Sequence, residues 1–146
     1  MAYPAGFSLV ADPGDSQILE VPVSSLTSVV GDCLELVEGS TTWAKVTSSS
    51  NARTRKGVVQ AATTSASVAK VLLVTPFQMW VAETANSSAA ADDGDLMVFT
   101  DENTINNTGT TATGATAVFQ QVFRSGAASD KRIIGFFCGL YGNPTV

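Results

Sequence analysis

Residues 30–36 read VGDCLEL, and residues 93–99 read DGDLMVF. In both, a glycine that permits a tight entry and an aspartate able to bond backbone amides just beyond it stand before an alternating apolar run. Leu34 and Leu36 then share one face of a strand and Glu35 takes the other. Working outward, the first Gly-Asp follows a strand and a polar connection that begin at Ile18, and the second follows a strand and a polar connection that begin at Phe77. After each come a strand, a turn, a second strand and a run that is basic and then apolar: ARTRKGVVQAA in the first half, SDKRIIGFFCG in the second. Two similar halves that each leave an apolar face uncovered can close on one another as a barrel. The repeat is therefore read as architectural, and it carries no chemistry.

The rest of the chain has the same texture. The runs ILEVPV, DCLELV, TTWAKVT, KGVVQAA, SVAKVLLV, FQMWVAE, DLMVFT, AVFQQVF and RIIGFFC are bounded by turn chemistry such as EGST, SSSNA, TTSAS and SGAASD. Apolar residues are β-branched or aromatic with a period near two, and no amphipathic helix stands out. SSLTSVV, residues 24–30, has room for one helical turn. Pro22 cannot donate to a ladder, so its strand is expected to lie on an edge or end early. The fold expected is all-β, a small β-barrel or sandwich of about eight or nine strands with two similar halves and an extended N-terminal arm. Residues 1–17 form the arm and residues 18–146 a single β-barrel domain.

Length and composition bound the function. A chain of 146 residues can bury roughly 70% of the surface it exposes unfolded, so it holds a core without staples. Its formal charge of −5 and scattered basic residues argue against phosphate contacts, hence no nucleic acid. No apolar run is long enough for a membrane span, and the opening residues lack the basic and apolar regions of a secretory signal, so synthesis in a cytoplasm is expected. Cys33 and Cys138 are too few for a disulfide framework and lack metal spacing; both read as buried thiols.

The chain has no histidine, which removes the usual general base, the commonest metal ligand and every Ser-His-Asp or Cys-His arrangement. Asp92, Asp93 and Asp95 would suit calcium, but their spacing fails the EF-hand loop and an acidic turn is the simpler reading. Glu35, Glu83 and Asp101 offer carboxyl groups to a glycosidase, with nothing that singles out a pair. No cofactor, metal or enzymatic activity is expected. Arg53 and Arg55 share a strand face, either as the charged guard of an edge strand or as a grip on an acidic partner.

The apolar excess is more informative. In RIIGFFCGLY, Ile133 and Phe137 take one face while Ile134, Phe136 and Cys138 take the other, so this strand needs a cover on its outside. In FQMWVAE, Phe77, Met79 and Val81 share a face, and Trp80 is either a core residue or an interface anchor. The uncharged loop NTINNTGTTATGATA, residues 103–117, lacks the charge that keeps a linker solvated and is expected to pack on a neighbour. The arm carries Tyr3, Phe7 and Leu9 between prolines and glycines, and these three are expected to fill pockets on a neighbouring chain. The interface residues expected are thus Tyr3, Phe7, Leu9, Trp80, Phe136 and Tyr141.

GDCLELVEGSTTW, KGVVQAA, VLLVTPFQMWVAE and the second GDLMVF, over about residues 30–100, resemble the small β-barrel decoration or cement proteins that coat tailed-bacteriophage heads. The resemblance implies a non-enzymatic virion protein on the capsid surface that binds the major capsid protein and stabilises the assembled shell. It also implies a homo-oligomer, expected as a trimer. The long Thr-rich loop and proline-bearing arm depart from that pattern. The alternative is a carbohydrate- or receptor-binding module of a tail spike or fibre, for which Trp43 and Trp80 would supply the aromatic platforms.

Overall fold

The computed structural model describes residues 5–14, 16–108 and 117–139. Eleven strands run through them: β1 (Ser8–Ala11), β2 (Ile18–Ser28), β3 (Cys33–Leu36), β4 (Ala44–Lys45), β5 (Arg55–Val59), β6 (Thr63–Leu73), β7 (Met79–Thr84), β8 (Leu96–Asp101), β9 (Thr104–Asn106), β10 (Phe119–Arg124) and β11 (Arg132–Phe137). Alternation predicts nine of these. β1 and the three-residue β9 are additional, and the segment with room for a helical turn continues β2 through Ser28.

The all-β class and the two similar halves hold, but the halves do not close on one another. One closes on itself and the other nearly does. β7, β11, β10, β8 and β9 form a five-stranded barrel that shuts where β9 returns parallel to β7, pairing Glu83 with Thr104 and Thr84 with Ile105. β2, β6, β5, β3 and β4 form a second sheet in the same order, nearly closed by a single parallel bridge between Val23 and Trp43. β2 to β6 thus correspond one by one to β7 to β11. The strands of ARTRKGVVQAA and SDKRIIGFFCG, β5 and β11, are not equivalent positions; β5 matches β10.

The Gly-Asp motif recurs down to its backbone bonds. Gly31 N–H donates to Val59 O and Gly94 N–H to Gln121 O; Asp32 N–H donates to Val29 O and Asp95 N–H to Asp92 O; Val59 and Gln121 return their N–H groups to Asp32 O and Asp95 O. Both glycines are left-handed, with φ of 99° and 91°, which explains why neither copy carries a side chain there.

Register places the faces. Leu34, Val59, Val71 and Trp43 line the interior of the first barrel with Val21, Val23, Leu26 and Ala69. Cys33, Val58 and Leu72, paired in one row across β3, β5 and β6, point outward and join the core of the second barrel, where Trp80, Phe99, Phe119, Ile133 and Phe137 are buried. The outside of one barrel therefore stoppers the other.

Residues 8–11 of the arm are not free. β1 lies antiparallel on the edge of β7, beside the position where β9 closes the barrel. Phe7 N–H donates to Gly31 O at 3.0 Å, Gly6 N–H donates to Glu83 Oε2 at 3.2 Å, and the Phe7 ring is 2% exposed. The division into an arm and one barrel gives way to two barrels locked by the arm, because Phe7 gains more apolar burial within its own chain than an extended arm would keep.

Candidate interface

Three surfaces leave apolar side chains exposed or only half-buried. The first is the mouth of the first barrel where β3 and β6 end and β2 and β5 begin. Leu19, Leu36 and Leu73 are half-buried there against the interior cluster. A cavity of about 510 Å³ opens beside them, lined by Leu36, Val37, Glu38, Asn51, Arg53, Thr54 and Arg55. The two arginines named from sequence thus line it together with Glu38, around Leu36 and Val37.

The loop carrying Asn51 to Thr54 is pinned by a buried ion pair that sequence reading passed over. Lys56, 1% exposed, donates from Nζ to Asn51 O at 2.7 Å, Thr54 O at 3.0 Å and Thr54 Oγ1, with Glu35 Oε2 at 3.6 Å. Glu35 in turn accepts from Ser50 Oγ and from Thr54 Oγ1 at 2.6 Å. Burial pushes the Lys56 ammonium below its ordinary range, opposed by the charge of Glu35. Only the alternation at Glu35 hinted at this, since Glu35 and Lys56 pair across β3 and β5 on the same outward face.

The second surface is the outside of β11 and its neighbours. Ser8 pairs with Val81, Val81 with Ile134 and Ile134 with Phe123, which is 43% exposed. The parallel row runs Leu96, Gln120, Phe136. The doubly apolar character read in RIIGFFC is real: Ile133 and Phe137 face the core, Ile134 and Phe136 face out and stay half-buried.

The third surface is the turn Thr75–Gln78. Phe77 is 80% exposed and left-handed, φ 66°, at the position after Pro76 where glycine is usual. Such a conformation costs about 1–2 kcal/mol for a residue with a Cβ. Gln78 holds it: the buried amide accepts Thr75 N–H at 2.7 Å and reaches Leu73 O and Ser16 Oγ at 3.4 Å. Ile18, Pro22 and Val68 remain exposed at the margin of the first barrel, where Ile18 pairs with Leu72 and Pro22 with Val68.

Of the interface residues expected, Phe136 lies on the outward face described. Phe7 and Trp80 require correction: Phe7 stands 5.1 Å from Phe137, 6.0 Å from Phe99 and 6.2 Å from Phe119 between ring centroids, and Trp80 stands 5.7 Å from Phe137. Neither is available to a neighbour. Leu9 packs half-buried on the same core. Tyr3 and Tyr141 lie outside the described residues, as do residues 109–116 of the Thr-rich loop.

The carboxylates have local duties. Glu83 faces Arg132 Nη1 at 3.7 Å besides Gly6, Asp101 Oδ1 accepts Asn103 N–H, and Asp93 Oδ1 accepts Gln121 Nε2 at 2.8 Å. Among the described residues no three His, Cys, Asp or Glu side chains gather around a metal position. Both cysteines are free; burial pushes the thiol of Cys138 up to about 11 and that of Cys33 higher still, which leaves both as poor nucleophiles at neutral pH. No helix of the described residues is long and apolar enough to cross a membrane. No protein-family model, curated protein or solved structure matches the chain.

Proposed function

We propose that this chain is a non-enzymatic virion structural protein that binds the outside of an assembled phage capsid and stabilises it, with the major capsid protein and further copies of itself as partners. The observation that carries the reading is Phe77, a large aromatic side chain held almost fully in solvent on a braced turn at a conformational cost. A rigid, exposed aromatic loses little entropy on docking and is the kind of anchor that dominates interface energetics. The exposed Pro22 and Val68, cross-strand neighbours, add a second, separate apolar contact. Modest contacts repeated over a shell bind the assembled state alone and so stabilise it by linkage. The resemblance of residues 30–100 to decoration proteins points the same way.

The carbohydrate-binding alternative loses its platforms, because Trp43 and Trp80 are both buried. The decisive experiment mixes purified protein with undecorated heads and pellets them. Wild-type protein co-sediments and raises the melting temperature of the heads, and Phe77→Ser weakens binding at least tenfold. Absence of co-sedimentation at every salt concentration sinks the proposal.

A further inference from the structure

The two barrels are topologically equivalent, so the seam between them defines a contact that each barrel makes or leaves unmade. Register fixes the correspondence. Cys33, Val58 and Leu72 on the outside of the first barrel match Leu96, Gln120 and Phe136 on the outside of the second. Leu19, Leu36 and Leu73 at the mouth of the first barrel match Trp80, Phe99 and Phe137 at the mouth of the second.

Within the chain, the first barrel's outward row closes the second barrel's mouth. Cys33, Val58 and Leu72 are buried with Trp80, Phe99 and Phe137 in one cluster, and the β8–β9 turn reaches across as Glu102 O accepts Cys33 N–H at 2.6 Å. The equivalent pair of surfaces is unmatched. At the first barrel's mouth Leu19, Leu36 and Leu73 are only half-buried, and Val37 of the equivalent β3–β4 turn is 46% exposed. On the second barrel's outside Phe136 and Leu96 are half-buried and Gln120 is exposed.

We infer that these two surfaces meet between copies: the row Leu96, Gln120, Phe136 of one chain seats on the mouth formed by Leu19, Leu36, Val37 and Leu73 of the next, continuing the seam already present within the chain. Charge favours this orientation. Asp92, Asp93 and Asp95 lie within four residues of Leu96, while the cavity beside Leu36 and Val37 carries Arg53 and Arg55 against one acid, Glu38. Opposite charges at an apolar rim steer the encounter and set its register. The contact is head-to-tail, so it closes into a ring if the rotation between copies allows and grows into a filament otherwise.

A complementation test on free protein keeps this inference separate from capsid binding. Wild-type protein at 10–500 μM is examined by sedimentation and light scattering beside Phe136→Glu, which spoils the row, and Val37→Glu, which spoils the mouth. The wild type is expected to associate, each variant to be monomeric, and their equimolar mixture to form one-to-one dimers, because each variant keeps the surface the other lacks. Circular dichroism checks the fold, and Gln120→Arg, at an exposed position of the same row, replaces Phe136→Glu if that variant unfolds. A monomeric wild type across the range, variants that associate as the wild type does, or a mixture that stays monomeric overturns the inference.

Discussion

Replacing Phe7 with alanine tests the claim that the N-terminal segment is part of the core. The ring is 2% exposed and touches three others, edge-on to Phe99 and tilted against Phe119 and Phe137. A buried Phe→Ala change costs about 3–5 kcal/mol, and each lost aromatic pair adds to the transfer and cavity costs within that range. The rings around Phe7 belong to closed strands with backbone bonds on both sides and cannot collapse into the space, which places the cost near the upper half, about 4 kcal/mol. For 146 residues the entropy of unfolding is about 0.3 kcal/mol per degree, so Tm should fall by about 13 °C. Thermal melts followed by Trp fluorescence and near-ultraviolet circular dichroism report this directly, since Trp80 sits in the same aromatic cluster. Phe7→Leu, which keeps most of the volume, should fall by less than half as much. A drop under about 3 °C for Phe7→Ala would mean that the segment contributes little and that the second barrel closes without it.

Lys56→Met should destabilise the chain by about 3–5 kcal/mol in urea titrations, because Glu35 is left charged in a buried site and Asn51 O and Thr54 O lose their donor; a loss below 1 kcal/mol would show that the loop is held by other means. The Lys45–Glu102 pair ties the first barrel to the second at 2.7 Å, and the hydrogen bond from Lys45 holds the Glu102 carboxyl below its ordinary value of 4.5. The unfolded chain then binds the proton more readily, so this contribution is complete above that value and lost as pH falls through the depressed one. Lys45 is raised by the same bond, and its share is complete below 10.5 and lost only as pH rises beyond. Both groups are about a third exposed, so the effect is under about 1 kcal/mol. Wild-type urea midpoints should decline more steeply than those of Glu102→Gln below pH 5, and superimposable profiles would exclude the role.

Much of the fold was legible because strands announce themselves locally. Alternation and turn residues located nine of the eleven strands, and the paired Gly-Asp entries marked a repeat that the backbone bonds of Gly31 and Gly94 bear out. Alternation also separated Ile133 and Phe137 from Ile134 and Phe136. It could not say which set lies inside, since a period of two is the same whichever face is covered. That choice depends on closure, and closure rests on pairings between distant residues: three-residue β9 against β7, and Trp43 against Val23. β9 has no distinctive local pattern, and the alternation of TTWAKVT does not say which strand Trp43 meets. Phe7 is the clearest case. Prolines and glycines around it describe an extended segment correctly, but the pocket that takes its ring is assembled from Phe99, Phe119 and Phe137, residues brought together only when the second barrel shuts. Phe77 shows the converse: spacing put it on a strand face with Met79 and Val81, but it stands before β7 in a left-handed turn braced by Gln78, whose partners Leu73 and Ser16 converge only in the folded chain. Composition and period determined that this chain makes strands; long-range closure decided which apolar side chains became core and which were left for a partner.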